Sequence, residues 1–248
     1  MENNSTMRSK THGFPPARTV RRGMAGLAMV LFVGALAMPS AADDAKGDKT
    51  LPVVILLGDS IRIQYQGIVR AKLKGKATVW SPKENCAHTA FTLGHLETWV
   101  KGRNAAVVHI NVGLHDLFLL ENTNQPRHSL EVYTENLRAI FRKLKELTDA
   151  DLIFALTTAV DEKRQAASKG YKRVVRRNPD IAAYNEKAAE IAREFGAHVN
   201  DLYGCVQAGG IETLISDDGV HLSPAGAQTV GQQVTQSILA VLEKRGKR

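Results

Sequence analysis

The chain has 248 residues, of which 44% are hydrophobic and 23% are charged, and this composition is ordinary for a globular protein. Its formal net charge of +8 overstates the basic character of most of the chain. Residues 1–42 contain five basic residues and one acidic residue, so the remainder has 28 basic and 24 acidic residues and a net charge of +4. This balance gives no reason to expect a nucleic-acid partner.

The first 42 residues have the pattern of an export signal rather than that of a folded segment. A basic stretch that ends at Arg21–Arg22 precedes the apolar run Met24–Met38, whose 15 residues are too few to cross a bilayer comfortably. Small residues at Ser40–Ala42 match the positions that a signal peptidase recognises. We therefore predict a signal peptide at 1–42 and an exported protein, periplasmic or secreted, with an uncleaved membrane anchor as the alternative.

The rest of the chain is predicted to contain a short polar linker at 43–50 and one folded domain at 51–248. No later apolar run is long enough to span a membrane, so we expect no stable membrane partner. The domain has two cysteines, Cys86 and Cys205. Each follows a predicted strand at the same edge of the predicted sheet, and we expect a disulfide between them, although two unpaired core thiols are equally ordinary.

Apolar runs of strand length alternate with amphipathic segments of helical period along the domain. The predicted strands are Val53–Leu57, Ala77–Trp80, Ala105–Val112, Leu152–Thr157 and Ala197–Asn200. The predicted helices are Ile61–Leu73, Phe91–Val100, Leu130–Leu147, Asp180–Phe195 and Ser223–Leu242. This alternation predicts an α/β fold in which a parallel sheet has helices on both faces.

Ser60 lies where the first predicted strand passes into the first predicted helix. The apolar residues Val53–Leu57 stop at Gly58-Asp59-Ser60, and Gly58 permits the tight turn that ends the strand. Ligands of open α/β sheets bind at the carboxyl ends of the strands. Ser60 is therefore a candidate nucleophile, and the alternative is that its hydroxyl only caps the helix.

A candidate base for this serine lies just before the last predicted helix. Serine is a poor nucleophile until a base takes its proton, and the base needs a group that orients it. In the segment Asp218–His221 an aspartate and a histidine three residues apart can hydrogen-bond directly, which leaves the second imidazole nitrogen to face Ser60. Asp217, one residue further from the histidine, is the competing orienting group.

Three segments in this order resemble the SGNH (GDSL) hydrolases, namely Gly58–Ser60, Gly113–Asp116 and Asp218–His221. The resemblance covers nearly all of residues 51–242. It implies a flavodoxin-like, three-layer α/β/α sandwich with a mostly parallel five-stranded sheet. It also implies hydrolysis of esters by a Ser–His–Asp arrangement.

The same resemblance implies roles for individual residues. Ser60 would be the nucleophile, His221 the base and Asp218 the group that orients the base. The oxyanion would be bound by the Ser60 N–H, by a backbone N–H of a second segment and by a side chain of the third segment. We place the backbone donor at Ala87, which stands where the family has glycine, and the side-chain donor at His115, which stands where the family has asparagine.

Other polar residues near these positions have different expected roles. Asp116 is expected to anchor the turn after His115 rather than to take part in the chemistry. Asn85 and His88 flank the second segment and are candidates for substrate contact. Because His88, His115 and His221 lack the close carboxylate or cysteine spacing of a metal site, we predict no metal and no other cofactor.

Residues 161–177 form a basic and irregular stretch with seven lysines and arginines. Such a run is usually a solvated loop. This one follows a predicted strand at the ligand-binding edge of the sheet, so contact with an anionic substrate is the alternative.

The motifs and the predicted topology indicate an exported serine esterase. The resemblance to the family, together with the predicted export, implies that it removes short acyl groups, with acetyl expected, from a saccharide or a related small-molecule ester. One alternative is a lysophospholipase or thioesterase with a longer acyl pocket. Another is a catalytically silent protein that keeps the fold and binds glycan. The sequence carries no signal for an oligomeric state.

Overall fold

Residues 51–120, 123–168 and 174–247 are described by the computed structural model of this chain. The predicted signal peptide and linker lie outside these ranges, as does part of the basic stretch 161–177. The strands are β1 (Val53–Gly58), β2 (Thr78–Trp80), β3 (Ala105–Asn111), β4 (Leu119–Leu120), β5 (Asp151–Ala155), β6 (Val174–Val175) and β7 (His198–Asn200). The helices are α1 (Ser60–Leu73), α2 (Thr89–Val100), α3 (Leu130–Leu147), α4 (Glu162–Ala167), α5 (Asn178–Glu194), α6 (Leu202–Gly209), α7 (Ile211–Leu214) and α8 (Pro224–Gly246).

Five of the strands form one sheet in the order β2-β1-β3-β5-β7, and every neighbouring pair is parallel. Numbered among themselves, these strands have the 2-1-3-4-5 order of flavodoxin-like folds. The register pairs Gly58 with Asn111, so β1 and β3 end level with each other. The strand order reverses between these two strands, and the loops that follow them open the crevice in which such folds bind ligands.

Helices cover both faces of this sheet. On one face α1 packs against α8, and α8 also contacts α6 and α7. On the other face α2 packs against α3, and α3 packs against α5. Because both faces are covered, strand residues such as Val54–Leu57 have no exposed surface, which explains the unbroken apolar run in the sequence. The predicted three-layer α/β/α sandwich is confirmed.

The predicted strands and helices are present, with their ends shifted by a few residues. Ser223 caps α8 as predicted, and its hydroxyl accepts the N–H of Gly226. The start of α5 differs from the prediction, because it begins at Asn178 rather than at Asp180. Pro179 lies in the first turn of α5, where a backbone N–H would have no acceptor within the helix, so the absence of an N–H in proline costs no hydrogen bond. No helix among the described residues is long and apolar enough to cross a membrane.

A small antiparallel ribbon of β4 and β6 is absent from the predicted elements. It pairs Leu119 with Val175 and ties the loop after β3 to the segment before α5. Strands of two residues are too short to show an alternating pattern, so periodicity gives no signal for them. The short helices α4, α6 and α7 also escape prediction, because so few turns do not show a helical repeat of apolar residues.

The predicted disulfide between Cys86 and Cys205 is wrong, because both residues are unpaired thiols. Cys86 follows β2, and Cys205 lies in α6 directly after β7. These two strands are the opposite edges of the five-stranded sheet. Four inter-strand steps of about 4.8 Å place the edge strands roughly 19 Å apart, whereas a disulfide requires Cα atoms within about 7 Å. Two strands whose carboxyl ends lie on the same side of a sheet can therefore be separated by the full width of the sheet.

Candidate active site

Ser60 and His221 lie far apart in the sequence and hydrogen-bond to each other in the structure. The distance from His221 Nε2 to Ser60 Oγ is 2.8 Å, and the distance from His221 Nδ1 to Asp218 Oδ2 is 2.7 Å. The carboxylate beside His221 Nδ1 belongs to Asp218, so Asp218 and not the competing Asp217 is in the position that orients the imidazole. With the Nδ1 proton on the Asp218 side, Nε2 of a neutral imidazole accepts the hydrogen bond from the serine hydroxyl.

The hydroxyl of Ser60 does not cap helix α1. Asp59 is the N-cap residue, and its Oδ1 accepts the N–H of Ile61 at 2.9 Å. Asp59 is almost fully buried, and this burial raises the pKa of its carboxyl to about 6. Because Asp59 caps the helix, the Ser60 hydroxyl can hydrogen-bond to His221 instead. This hydroxyl lies at the positive end of the helix dipole.

Asp218 is held as an anion by its neighbours. Burial by itself raises the pKa of this carboxyl, but the hydrogen bonds to it outweigh burial and lower the pKa to about 2. Its Oδ1 accepts the backbone N–H groups of Val220 and His221 and the hydroxyl of Ser216, at 2.8, 2.9 and 2.9 Å. The turn that follows Asp218 therefore fixes the carboxylate that orients the imidazole.

Gln64 fastens this turn to the helix that begins with the serine. Its Nε2 donates to the carbonyl of Leu222 at 3.1 Å, and its Oε1 accepts the N–H of Leu222 at 2.9 Å. Leu222 is the neighbour of His221, so both partners of the Ser60–His221 bond are connected through one side chain of α1. Nothing in the sequence points to Gln64, because one polar residue on the half-exposed side of a helix carries no signal of a distant partner.

A cavity of about 250 Å³ opens beside Ser60. Among the described residues that line it, six have polar or charged side chains, and two, Leu114 and Val220, are apolar. The lining residues are Asp59, Ser60, Asn85, Leu114, His115, Arg176, Val220 and His221. The structure thus brings Asn85 and His115, from the second and third predicted segments, to the same cavity as the serine and the histidine.

His115 is the cavity residue at the position where the resemblance predicts an oxyanion donor. Burial lowers the pKa of its imidazole to about 4, and the cations of Arg176 and Arg127 contribute to the shift. The ring is therefore neutral at pH 7 and has one N–H to donate. The neighbouring Asp116 has no exposed surface and accepts hydrogen bonds from Thr89, through its N–H and its hydroxyl.

The second predicted segment has a backbone conformation that normally requires glycine. Ala87 has φ of +49°, in the left-handed region that residues with a side chain rarely adopt. Its N–H, the predicted oxyanion donor, is donated to Oδ1 of Asn85 at 2.7 Å. The position of Ala87 fits the family's glycine, but its N–H has a partner other than the substrate.

Comparison with known proteins decides the family. The model of the GDSL-like lipase/acylhydrolase family matches residues 56–229. The chain belongs to this family. A curated relative, GDSL esterase/lipase CPRD49 of Arabidopsis thaliana, is 31% identical over 117 residues, and this segment covers 46% of each chain, slightly less than half of the relative's length.

Solved structures of the same fold agree with this family. The lipase/acylhydrolase from Enterococcus faecalis superposes with a TM-score of 0.63 at 20% identity, over 76% of this chain and 95% of that one. An acetylxylan esterase from Geobacillus stearothermophilus gives a TM-score of 0.61 at 17% identity, over 75% of this chain and 94% of that one. These likenesses establish the SGNH hydrolase fold, and the family places the chain among the ester hydrolases.

Arg62 holds the second segment of this GDSL protein in place. Its guanidinium is fully buried and donates to the carbonyls of Gly58, Pro82 and Glu84, the last at 2.6 Å. A Cβ on Gly58 would lie 2.6 Å from the Cβ of Arg62 and 2.9 Å from Asn111 O, so the glycine is needed for close packing. Nothing in the sequence points to a buried Arg62, because an arginine beside an apolar helix face usually extends to solvent.

Of the described residues in the basic stretch 161–177, Arg176 lines the cavity. Arg176 is buried, and its Nε donates to the carbonyl of Leu114 at 2.9 Å. The amide of Gln165 bonds to both the N–H and the carbonyl of Arg176 and fixes this backbone. Residues 169–173 of the stretch lie outside the described residues.

His88, a candidate for substrate contact, lies at the start of helix α2. Its Nδ1 accepts the N–H of Phe91 and caps α2, and its ring stands against the ring of His128 at 4.9 Å. It is not among the residues that line the cavity. Among the described residues, no group of three or more His, Cys, Asp or Glu side chains is placed to hold a metal ion.

Proposed function

We propose that this protein hydrolyses short-chain acyl esters with Ser60 as nucleophile, His221 as general base and Asp218 as the orienting carboxylate. The natural substrates in this proposal are acetyl esters of a saccharide. The observation that carries it is the hydrogen bond of 2.8 Å between Ser60 Oγ and His221 Nε2, beside a cavity at the carboxyl ends of the strands. A serine with a positioned base is the arrangement that covalent acyl transfer requires.

The reaction proceeds in two steps in this geometry. Ser60 Oγ attacks the ester carbonyl carbon while His221 Nε2 takes the hydroxyl proton. When the bond to the alcohol oxygen breaks, His221 gives that proton to the leaving alcohol, and the acyl group stays on Ser60. Water then attacks the acyl-serine, His221 takes its proton and returns it to Ser60 Oγ, and the carboxylic acid leaves.

The oxyanion that forms in each step requires donors near Ser60. The Ser60 N–H is the first of helix α1 and has no intrahelical partner. His115 lines the same cavity as a neutral imidazole with one N–H, which is the donor chemistry of the asparagine that it replaces. We therefore assign these two groups to the oxyanion hole.

The size of the cavity supports a short acyl group. Its volume of about 250 Å³ is below the range of roughly 300–1,000 Å³ that is usual for drug-sized ligands. A long acyl chain needs a long apolar wall, and among the described lining residues Leu114 and Val220 alone supply apolar side chains. A lysophospholipase or long-chain thioesterase is therefore the less well supported reading.

The saccharide in this proposal is supported by a structural neighbour and by the sequence. The neighbour from Geobacillus stearothermophilus is an acetylxylan esterase. Export, proposed from residues 1–42, would place the protein where polysaccharides are available. Detection of a chain that begins near residue 43 in the periplasm or medium tests export, and a full-length chain confined to the cytoplasm contradicts it.

The test of the activity combines a substrate series with one variant. We expect nitrophenyl acetate to be hydrolysed with a higher kcat/KM than the butyrate or octanoate, and Ser60→Ala to lower kcat by about 10⁶ with an unchanged melting temperature. A fluorophosphonate should label Ser60 in the wild-type protein. Absence of both labelling and turnover would show a silent binding protein, and a maximum at octanoate would show a longer acyl pocket.

A further inference from the structure

The side chain of Asn85 has a fixed orientation beside the nucleophile. The N–H of Ala87 is only a donor, so the atom of Asn85 that it contacts at 2.7 Å must be the carbonyl oxygen. This hydrogen bond spans two residues and closes a turn of the type that asparagine favours. The amide nitrogen of Asn85 is thereby placed on the opposite branch of the side chain, away from the Ala87 N–H.

The amide nitrogen of Asn85 is available to a substrate. Asn85 lines the same cavity as Ser60, His115 and His221. Among the described residues, no hydrogen-bond acceptor contacts Asn85 Nδ2, and this atom is not sealed in the protein interior. An amide with a bonded oxygen and two uncommitted N–H donors is a group prepared to bind an anion or a carbonyl oxygen.

The backbone on both sides of Asn85 is anchored to the nucleophile's own strand and helix. Cys86 donates its N–H to the carbonyl of Gly58 at 3.0 Å, and Glu84 O accepts from the Arg62 guanidinium at 2.6 Å. Arg62 also receives no solvent contact, because its side chain is fully buried. Asn85 is therefore held between two fixed neighbours, and a donor that is fixed before the reaction is the kind that stabilises an oxyanion most effectively.

We propose that Asn85 Nδ2 is an oxyanion donor of this enzyme and that it takes the place of the second-segment backbone N–H. The geometry points to an exchange of positions within the family pattern. The third segment has His115 where the family has asparagine, and an asparagine amide enters the same cavity from the second segment instead. The Ala87 N–H acts through Asn85, because it holds the amide oxygen and so orients the nitrogen.

This inference rests on the proposed hydrolysis at Ser60 and adds a catalytic residue to it. The alternative is that the Ala87 N–H itself binds the oxyanion after Asn85 turns aside. The two possibilities predict opposite effects of removing the side chain. Without Asn85 the Ala87 N–H loses its partner and becomes available to the substrate, so a backbone donor would work at least as well as before.

The test measures kcat and KM for nitrophenyl acetate in Asn85→Ala and Asn85→Asp. Aspartate keeps an oxygen for the Ala87 N–H but has no N–H donors at neutral pH, so it separates the loop structure from the donor role. We expect both variants to lose about 10²–10³ in kcat with little change in KM. Asn85→Asp should keep the wild-type melting temperature.

Two further variants control for folding. Asn104→Ala changes an exposed asparagine at the amino end of the central strand β3, whereas the cavity lies at the carboxyl ends of the strands, and this variant should keep wild-type kcat. The double variant Asn85→Ala with Ala87→Gly removes the cost of the left-handed backbone at position 87, in case Asn85→Ala alone is unstable. It should show the same loss of kcat.

The outcomes separate this inference from the proposed function. A wild-type kcat in Asn85→Ala or in the double variant would overturn the role of Asn85 and assign the backbone N–H as donor. If the wild-type protein lacks esterase activity that depends on Ser60, the proposed function itself is wrong. Turnover in wild type with a loss of about 10²–10³ in Asn85→Ala supports both.

Discussion

Two aspartate–histidine pairs of the same length lie near the carboxyl ends of the strands. His221 Nδ1 is 2.7 Å from Asp218, and His128 Nδ1 is 2.7 Å from Asp116. In each pair the carboxylate is in a position to fix the tautomer of the imidazole. The distance within the pair therefore does not distinguish a catalytic pair from a structural one.

The surroundings of the two pairs differ. The Asp116 side chain has no exposed surface, and burial raises the pKa of its carboxyl above the usual value, although the bonds from Thr89 and His128 oppose the shift. The Asp218 side chain is 30% exposed, and its hydrogen bonds lower the pKa. The second ring nitrogen of His221 bonds to Ser60, whereas no described hydroxyl bonds to the second nitrogen of His128.

In the proposed mechanism the two pairs are distinguished by the group that faces the second ring nitrogen, which is a serine hydroxyl at His221. Asp116 joins the start of α2, through the Thr89 N–H, to the chain before α3, through His128. Tyr184 donates to the carbonyl of His128 at 2.6 Å and connects α5 to the same point. This pair holds the loop that presents His115, and it does so without a nucleophile.

The largest difference between the pairs should appear in turnover. Asp218→Asn is expected to lower kcat by about 10⁴, because asparagine favours the wrong imidazole tautomer. Its matched variant, Asp116→Asn, should keep kcat within about tenfold and instead lower the free energy of unfolding by about 1–3 kcal/mol, because a buried donor loses its partner.

Steady-state kinetics and urea unfolding of both variants measure this contrast. Circular dichroism of Asp218→Asn serves as the control that its fold is intact. If Asp116→Asn loses as much kcat as Asp218→Asn while it remains folded, the buried pair takes part in catalysis and the distinction fails.

His115 is the chain neighbour of Asp116 in the structural pair and is a proposed oxyanion donor. Its removal should have the next largest effect on kcat. His115→Ala is expected to lower kcat by about 10²–10³ with little change in melting temperature, because one oxyanion donor is lost. His115→Asn should recover much of this loss, because an amide donor returns to the position that the family uses. Near-normal kcat in His115→Ala would mean that the remaining donors are sufficient.

The smallest expected effect is on the pH dependence of stability. The pKa of Asp218 falls from 3.8 to about 2 in the folded protein, so its contribution is present above pH 3.8 and is lost as the pH falls through 2. Asp116 has a raised pKa, so its burial costs stability above that pKa and the cost disappears at lower pH. The two carboxylates therefore act in opposite directions.

Urea unfolding of the variants at several pH values below neutrality tests this pattern. The stability deficit of Asp218→Asn should shrink by about 1 kcal/mol as the pH falls from 4 to 2, after allowance for partial exposure. The deficit of Asp116→Asn should grow as the pH falls. Deficits that change in the same direction for both variants would show that the two aspartates have similar environments.

Much of the fold was predictable from the sequence, because the signals that define it are local. The run Val53–Leu57 requires a strand covered on both faces, and Ser223-Pro224 marks the start of a helix within a few residues. These patterns depend on backbone periodicity and on caps, which a residue shares with its neighbours in the chain. The alternation of strands and helices then restricts the fold to a parallel sheet between two helical layers.

Other features depended on tertiary structure, because they depend on which distant groups meet. The sequence placed Cys86 and Cys205 at one edge of the sheet, but only the strand order shows that they follow opposite edge strands. The sequence identified Asn85 as a residue near the site. Only the structure shows that the Asn85 side-chain oxygen accepts the Ala87 N–H.

The site shows the same division. The sequence was enough to select the residues of the proposed mechanism, since Ser60, His221 and Asp218 stand out by type, spacing and position relative to the predicted elements. Only the tertiary structure decided how they are held, through Gln64 on the turn before α8 and Arg62 under the second segment. Local periodicity determines on which face of a helix or strand a side chain lies. Its hydrogen-bond partners come from loops, and the packing of the whole domain determines the paths of those loops.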